Sequence, residues 1–174
     1  MLSVERNSSG DFVLVMPGPA LAYLSGVPTR LRAVLRDPEG SRAAFDRLFP
    51  VTYKDKEYEE EHRKLMHEEL VQRKLDNVDA FDKLLKGSTV DFTESEVIVP
   101  GNQFEAWLGF VNDMRLVLGT QLGVEKEDWE DEVPEDDPQA ESYFLLHFLS
   151  ILEEMLLRAT GLEFDGHPDG SSDQ

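Results

Sequence analysis

Residues 104–124, FEAWLGFVNDMRLVLGTQLGV, decide the fold class of this chain. Apolar residues recur in this stretch every three or four positions, which predicts an amphipathic helix with one face turned to a core. The stretch closes on a Gly-Val pair, and a glycine just past the last apolar residue is typical of a left-handed helix cap. The predicted apolar face comprises Phe104, Trp107, Leu108, Val111, Leu118 and Leu122.

This helix also carries a small polar cluster, formed by Asn112, Asp113 and Arg115. Arg115 follows Val111 by four residues and precedes Leu118 by three, so it lies at the edge of the apolar face. A guanidinium removed from water needs a charged partner. We predict Glu153 on the last helix as that partner. The pair is either a clamp between two helices or part of a partner-recognition site, and the second interpretation assigns partner binding to Trp107, Asn112, Asp113 and Arg115.

Helical spacing extends outward from this stretch in both directions. Residues 21–35 predict a helix that breaks or restarts near Gly26 to Pro28 and ends at about Asp37-Pro38. Residues 55–86 predict a long charged helix ended by Gly87-Ser88. Its single apolar stripe comprises Leu65, Val71, Leu75, Val78, Phe81 and Leu85.

The last predicted helix begins with Asp137 as N-cap and Pro138 at its first position, and it ends at Gly161. From Tyr143 to Leu157 it has almost no polar face. A helix that is apolar all round is either central to the fold or shared with a second copy, so a homodimer through this helix stays open.

Strands are confined to short pieces. Ser3 to Asn7 and Asp11 to Met16 flank Ser8-Ser9-Gly10 and predict a β-hairpin. Val90 to Phe92 and Val97 to Val99 suffice only for a minor sheet. The fold class is therefore mainly α: a single-domain helical bundle with a small N-terminal β-hairpin or minor sheet. We place this domain at residues 1–164, with an acidic loop at 125–141 and a disordered tail at 165–174.

Composition excludes several classes of protein. The chain has no cysteine, so it has no disulfide, no thiolate metal site and no thiol nucleophile. The amino terminus lacks the basic and apolar regions of a signal peptide, which predicts a cytoplasmic location. The apolar run from Tyr143 to Ile151 is well short of the roughly 18 residues that a membrane span requires. We therefore expect no membrane association.

Charge is distributed unevenly. Residues 1–90 contain 15 acidic and 14 basic residues, whereas residues 91–174 contain 21 acidic and only 3 basic ones. DNA affinity rests largely on lysine and arginine neutralising phosphates, so direct nucleic-acid binding is not expected of the second half. The arginines at 30, 32, 36, 42 and 47 form one basic neighbourhood in the first half, interpreted as a solvated face. An acidic surface either steers the chain toward basic proteins or keeps it soluble.

Motifs for catalysis are scarce. Glu59 and His62 form one Glu-x-x-His motif, but a di-iron bundle needs two copies and further glutamates. Phosphate-binding glycine loops and the Gly-x-Ser-x-Gly elbow are absent from the sequence. We predict no metal, no cofactor and no catalytic residue, and hence a protein that is not an enzyme. The alternative is a metal-binding or enzymatic bundle built on inward carboxylates such as Glu105 and Glu153.

The residues also resemble a known family. The Asn112-Asp113-x-Arg115 motif with the following Leu-Gly-Thr-x-Leu-Gly is similar to the signature of an actinobacterial family of unknown function. Members of that family are described as oxidative-stress regulators of the AosR type. Arg47 to Pro50, Tyr53 and the stretch from Glu61 to Leu65 resemble its middle segment, and Tyr143 to Glu153 resembles its closing helix. The resemblance covers the chain from about Phe12 to Gly161.

This resemblance implies a helical, non-enzymatic regulator that acts through protein contacts, with a sigma factor or another transcription protein as the partner. Redox regulation in such proteins has been tied to cysteines. The present sequence has none, so thiol sensing cannot be assigned to any position of this chain. A redox signal would have to enter through the partner.

Overall fold

The computed structural model describes residues 1–50, 59–91, 93–124 and 136–161. Helices dominate the described residues, and a small sheet accompanies them, which confirms the mainly α fold class. None of the described helices is long and apolar enough to cross a membrane. The elements are, in chain order, β1 (Ser3–Arg6), β2 (Phe12–Pro17), α1 (Gly18–Arg36), α2 (Arg42–Leu48), α3 (Glu60–Lys86), β3 (Thr89–Val90), β4 (Glu94–Val99), α4 (Phe104–Leu122) and α5 (Ala140–Ala159).

The predicted hairpin is present as β1 and β2. Its turn is closed by Asn7, whose Oδ1 accepts hydrogen bonds from the backbone N–H groups of Ser9 and Asp11 at 3.0 and 2.9 Å. Gly10 in this turn has a φ of +87°, a region that glycine adopts at little cost. The hairpin does not stand alone, because β2 also pairs antiparallel with β4 and gives a sheet of order β1-β2-β4-β3.

One face of this sheet packs against the helices. Phe12, Leu14 and Met16 alternate with less buried residues on β2, and Val97 and Val99 do the same on β4. This period of two is that of a strand with one buried face. Of the short apolar pieces predicted around residues 90–92 and 97–99, Val90 lies in β3 and Val97 to Val99 lie in β4, and both strands join the hairpin in a single sheet, whereas Phe92 lies outside the described residues.

Helix α4 is the central helix of the bundle and contacts α2, α3 and α5. Because it has neighbours on several sides, Phe110, Met114 and Val117 are buried in addition to part of the predicted apolar face. Of that face, three residues are buried and three are only partly buried: Trp107, Val111 and Leu118, and Phe104, Leu108 and Leu122, respectively. The helix ends as predicted: Gly123 has a φ of +67°, and the Val124 N–H donates to the Gly119 carbonyl at 2.9 Å. This is the left-handed glycine cap expected from the sequence.

The predicted break near Gly26 to Pro28 is wrong, because α1 continues through Pro28 to Arg36. A proline inside a helix forfeits one backbone hydrogen bond and crowds the preceding turn. Here Leu24, Val27 and Leu31 are fully buried on the same helix. We attribute the continuity of α1 to this packing, which offsets the cost of the proline. The predicted end at Asp37 is confirmed, since the Asp37 N–H caps the Ala33 carbonyl.

Two further boundaries differ from the prediction. Helix α5 begins at Ala140 instead of Pro138, because Asp137 Oδ1 accepts the Gln139 N–H at 2.7 Å in a turn that precedes the helix. Glu141, assigned to the acidic loop, lies in α5. The rest of that loop at 125–135 and the tail at 165–174 lie outside the described residues. Gly161, with a φ of +74°, follows the end of α5 as predicted.

The predicted apolar stripe of α3 is correct only in its second half. Val78, Phe81 and Leu85 are buried, whereas Leu65 is 55% exposed. The helix contacts α1, α4 and β4, but its first three turns carry few buried side chains. Residues 55–58, where the prediction began this helix, lie outside the described part of the chain.

The hairpin turn lies against the start of α4 at Gly101. The Gly101 N–H donates to Asp11 Oδ1 at 3.1 Å, and a Cβ at this position would lie 2.6 Å from the Gly10 carbonyl oxygen. We expect Gly101→Ala to lower the free energy of unfolding by about 1–3 kcal/mol, because the two backbones must separate. Urea unfolding measures this loss.

Gly26→Ala is the matched control for Gly101→Ala. A Cβ at Gly26 meets nothing within 4 Å, and the residue lies within α1. Alanine is favoured over glycine inside a helix by about 1 kcal/mol, so this variant should be more stable than the wild type. A Gly101→Ala variant as stable as the wild type would contradict the close approach of the hairpin to α4.

Candidate functional site

An ion pair between a partly exposed lysine and a buried carboxylate connects α3 to α4. Lys74 Nζ donates to Asp113 Oδ1 at 2.8 Å and to Oδ2 at 3.0 Å. Asp113 is only 4% exposed. Burial raises the pKa of Asp113 above its ordinary value, and the hydrogen bond and positive charge of Lys74 partly oppose that shift. The carboxylate is therefore held in the core only together with its lysine partner.

Aromatic rings surround this ion pair on the side of α2. Lys74 Nζ lies 5.6 Å from the ring centroid of Phe49, within the range of a cation–π contact. Phe49 contacts the ring of His67 edge-on at 4.9 Å and that of Phe45 at 4.8 Å. Phe49 belongs to the Arg47 to Pro50 segment that carried part of the family resemblance. The segment thus helps to enclose the lysine of the ion pair.

A second ion pair connects α4 to α5. Arg115 Nη1 donates to Glu153 Oε2, which is the pair predicted from the sequence. Arg115 Nε also donates to Ser150 Oγ at 3.1 Å, and that hydroxyl donates to the Leu146 carbonyl at 2.9 Å. Burial lowers the pKa of Arg115, although a guanidinium stays protonated at neutral pH. Its charge is met by Glu153 within the same chain.

The four residues predicted to bind a partner have different surroundings. Asn112 is exposed and Arg115 is partly exposed, but Trp107 and Asp113 are buried. Trp107 packs on Phe81 with ring centroids 4.3 Å apart, and its Nε1 donates to no acceptor among the described residues. The assignment of Trp107 and Asp113 as direct partner contacts is therefore corrected, because neither side chain reaches the surface of this fold.

We expect the Arg115–Glu153 pair to show energetic coupling. Arg115→Ala and Glu153→Ala should each lower the free energy of unfolding, and the double variant should lose less than the sum of the two. A double-mutant cycle by urea unfolding should give a coupling of about 1 kcal/mol, since both groups are only partly removed from water. If Arg115→Ala left stability unchanged while Glu153→Ala lowered it, the pair would have no energetic role.

Two residues of the Asn-Asp-x-Arg motif thus form clamps that hold the central helix to α3 and α5: Asp113 pairs with Lys74 of α3, and Arg115 pairs with Glu153 of α5. Among known protein families, the model of a domain of unknown function, DUF2017, matches residues 1–160 of this chain. The chain belongs to the DUF2017 family. No curated protein and no solved structure matches it. In this DUF2017 protein the matched region covers both clamps and every described element.

The carboxylates of the alternative metal or enzyme hypothesis do not converge in this DUF2017 protein. Glu105 is exposed, and Glu153 is held by Arg115. Glu59 and His62 are both exposed at the start of α3. Within the described ranges, no three histidine, aspartate or glutamate side chains are grouped so that they could hold a metal ion.

The basic neighbourhood of the first half is partly neutralised. Arg32 forms ion pairs with Asp79 at 2.7 Å and Asp82 at 3.2 Å. The hydrogen bond to Asp79 is the main cause that raises the pKa of Arg32, and Lys86 together with Arg32 lowers the pKa of Asp82. This network connects α1 to α3. It agrees with the interpretation of the arginines as a solvated, structural face.

Two apolar surfaces are exposed among the described residues. The sequence interpretation missed the first of them, whereas it left the last helix open as a shared surface. The first, the α3 patch, comprises Leu65, Met66 and Leu70. The second lies on α5 and includes Phe144 and Ile151. A signal for the α3 patch was present, because Met66 and Leu70 are four residues apart and lie off the predicted stripe. Exposed large apolar groups that cluster on one surface mark interaction sites more often than single ones do.

Proposed function

We propose that this DUF2017 protein is a non-enzymatic regulatory protein that acts by binding another protein, and that the α3 patch makes the contact. The observation that carries the proposal is the exposure of Leu65, Met66 and Leu70 on one short stretch of helix. From Glu60 to Leu70 only His67 is even partly buried. Met66 and Leu70 are four residues apart on one face of α3, with Leu65 at the side of that face, and such anchors fit the mode in which a helix enters an apolar groove of a partner.

Charge supports a basic partner. The formal net charge is -19, and most of the imbalance lies in residues 91–174. A strongly negative chain is steered toward positively charged proteins and repelled from nucleic acid. Transcription proteins that bind DNA present such positive surfaces. The resemblance to oxidative-stress regulators of the AosR type favours the same class, with a sigma factor as the partner and the cytoplasm as the location.

Two features of this chain limit which residues can receive a regulatory signal or bind a partner. The chain has no cysteine, so an oxidative signal does not enter through a thiol of this protein. Asp113 and Arg115 are engaged inside the fold. We therefore assign the motif to holding α4 in place, while recognition is assigned to surface side chains on α3.

A pull-down with purified protein tests the proposal. The wild type, a Leu65→Ser/Leu70→Ser variant and an Ile98→Ser control are immobilised and exposed to a lysate of the organism that encodes the chain. Ile98 is a matched control, because it is 49% exposed on β4. Loss of two apolar anchors worth about 1–2 kcal/mol each should lower recovery of the partner more than tenfold.

The expected result is a sigma factor or another transcription protein bound by the wild type and by the Ile98→Ser control but not by the α3 variant. Equal recovery by all three proteins would remove the α3 patch from the proposal. The regulatory function itself would be contradicted if no transcription protein bound and the purified chain contained stoichiometric iron, manganese or zinc, which would favour the metal-binding alternative.

A further inference from the structure

An open groove, the α1–α5 groove, lies between α1 and the start of α5. Its volume is about 410 Å³, within the range of roughly 300–1,000 Å³ that is usual for small-molecule sites. Its lining is small or apolar except for one cation and one anion, and it includes Ala22, Tyr23, Gly26 and Leu145 together with Arg30 and Glu141. We propose that this groove binds a zwitterionic small molecule with an apolar side chain, namely a free aliphatic or aromatic amino acid.

Gly26 leaves one wall of the groove without a side chain. It lies inside α1, and a Cβ at this position would meet no heavy atom within 4 Å. Its φ is not positive, so the backbone does not require glycine. Glycine is also less favourable than alanine inside a helix, so neither the local conformation nor the packing of the described residues accounts for it. A bound molecule accounts for it, because glycine allows a ligand to approach the helix backbone closely.

The apolar part of the groove is held in place by packing. Leu145 is 4% exposed and belongs to the core, so the side of the groove that it forms is fixed. Tyr23 is partly exposed, and its ring contacts that of Phe144 with centroids 5.5 Å apart. An aliphatic or aromatic side chain placed against these residues would be removed from water, which favours binding.

Arg30 and Glu141 lie together at the end of the groove where α5 begins. Arg30 Nη1 is 3.5 Å from Ser142 Oγ, which is long for a hydrogen bond, and Ser142 is the residue next to Glu141. Among the described residues, neither Arg30 nor Glu141 has an ion-pair partner. A guanidinium donates to a carboxylate, and a carboxylate accepts from an ammonium group. An α-amino acid carries both of these groups on one carbon atom, so its head would meet both side chains.

The balance of one cation and one anion favours a zwitterion over other small ligands. A ligand with only a carboxylate would pair with Arg30 but would place its negative charge beside Glu141, on a chain whose net charge is -19. A ligand with only an ammonium group would pair with Glu141 but would meet the positive charge of Arg30. The proposal does not rest on the regulatory function, because the α1–α5 groove shares no side chain with the α3 patch.

NMR titration of the ¹⁵N-labelled full chain with L-leucine, and separately with L-phenylalanine, tests the groove. We expect saturable shifts of the amide signals of Ala22, Gly26, Glu141 and Leu145, with a Kd in the millimolar range because the groove is open to water. L-leucinamide lacks the carboxylate and N-acetyl-L-leucine lacks the ammonium group, so each should bind at least about fivefold more weakly than L-leucine. The proposal would be overturned if neither amino acid gave saturable shifts, or if N-acetyl-L-leucine bound as tightly as L-leucine.

Gly26→Leu fills the groove in a chain that still folds, because leucine is a better helix former than glycine and its Cβ enters open space. Binding of L-leucine should fall at least about tenfold in this variant. Arg30→Met and Glu141→Gln should each weaken binding at least about fivefold, whereas Arg36→Met, a control at an exposed arginine later on α1, should leave it unchanged. Circular dichroism checks that every variant is folded. Unchanged binding by Gly26→Leu, or equal losses from Arg30→Met and Arg36→Met, would overturn the proposal.

Discussion

Lys74→Met should lower the free energy of unfolding by about 3–4 kcal/mol at neutral pH, because it leaves a charge in the core without its partner. Asp113 is buried and both of its carboxylate oxygens accept hydrogen bonds from Lys74 Nζ. Methionine keeps much of the length of the lysine side chain but offers neither a positive charge nor a donor. Urea unfolding at pH 7 measures the loss.

The stability lost on Lys74→Met should become smaller as pH falls, and the direction of this pH dependence follows from the pKa of Asp113. Burial raises that pKa in the folded protein, and removal of Lys74 takes away the interaction that lowers it. Between the unfolded pKa and the raised folded pKa, the folded state binds more protons than the unfolded state. Stability therefore falls as pH rises through this window. Below the folded pKa the buried carboxyl is neutral, so Lys74→Met should cost least in acid.

Lys86→Met is the matched control for Lys74→Met. It is the same substitution on the same helix, and Lys86 also pairs with an aspartate, Asp82, at 2.9 Å. Lys86 is well exposed, so its loss should cost about 0–1 kcal/mol. The double variant Lys74→Met/Asp113→Leu should recover most of the stability, because it removes the buried carboxylate together with its partly exposed partner. Equal losses from Lys74→Met and Lys86→Met would show that the Asp113 carboxylate is not buried as described.

The elements that the sequence predicted well are those governed by local chemistry. The end of α4 follows from one glycine that adopts a positive φ, and the hairpin turn follows from an asparagine whose side chain closes it. Such features depend on a few neighbouring residues. The prediction of a break near Pro28 was wrong because it considered only local chemistry. The local cost of a proline in a helix is offset by core contacts with residues that are distant in sequence.

The candidate site was predictable only in part. The edge position of Arg115 indicated that it needs a partner, and an acid near the middle of the last helix was a reasonable choice. Asp113 was different, because its partner Lys74 lies 39 residues away on another helix. Helical periodicity gives the direction of a side chain but not the identity of the helix that it faces. Asp113 was therefore mistaken for a surface group.

Trp107→Ala should have an effect as large as that of Lys74→Met. Trp107 is fully buried, and its ring packs on Phe81, which in turn stacks on Phe110 at 3.9 Å. Replacing a buried tryptophan by alanine leaves a cavity that the surrounding rings fill only partly, at a cost of about 3–5 kcal/mol. Replacing a partner-binding residue on the surface by alanine would lower the free energy of unfolding far less. The midpoint and slope of urea unfolding measure the difference.

Trp107→Phe is the informative companion to Trp107→Ala. Phenylalanine keeps a ring against Phe81 but removes the indole N–H, which donates to no acceptor among the described side chains and backbone. Because an unpaired buried donor itself costs about 1–3 kcal/mol, its removal offsets part of the lost volume. Trp107→Phe should therefore cost less than half as much as Trp107→Ala. Similar losses from both would mean that the indole nitrogen has a partner, and a loss below about 1 kcal/mol from Trp107→Ala would return this residue to the surface and to partner recognition.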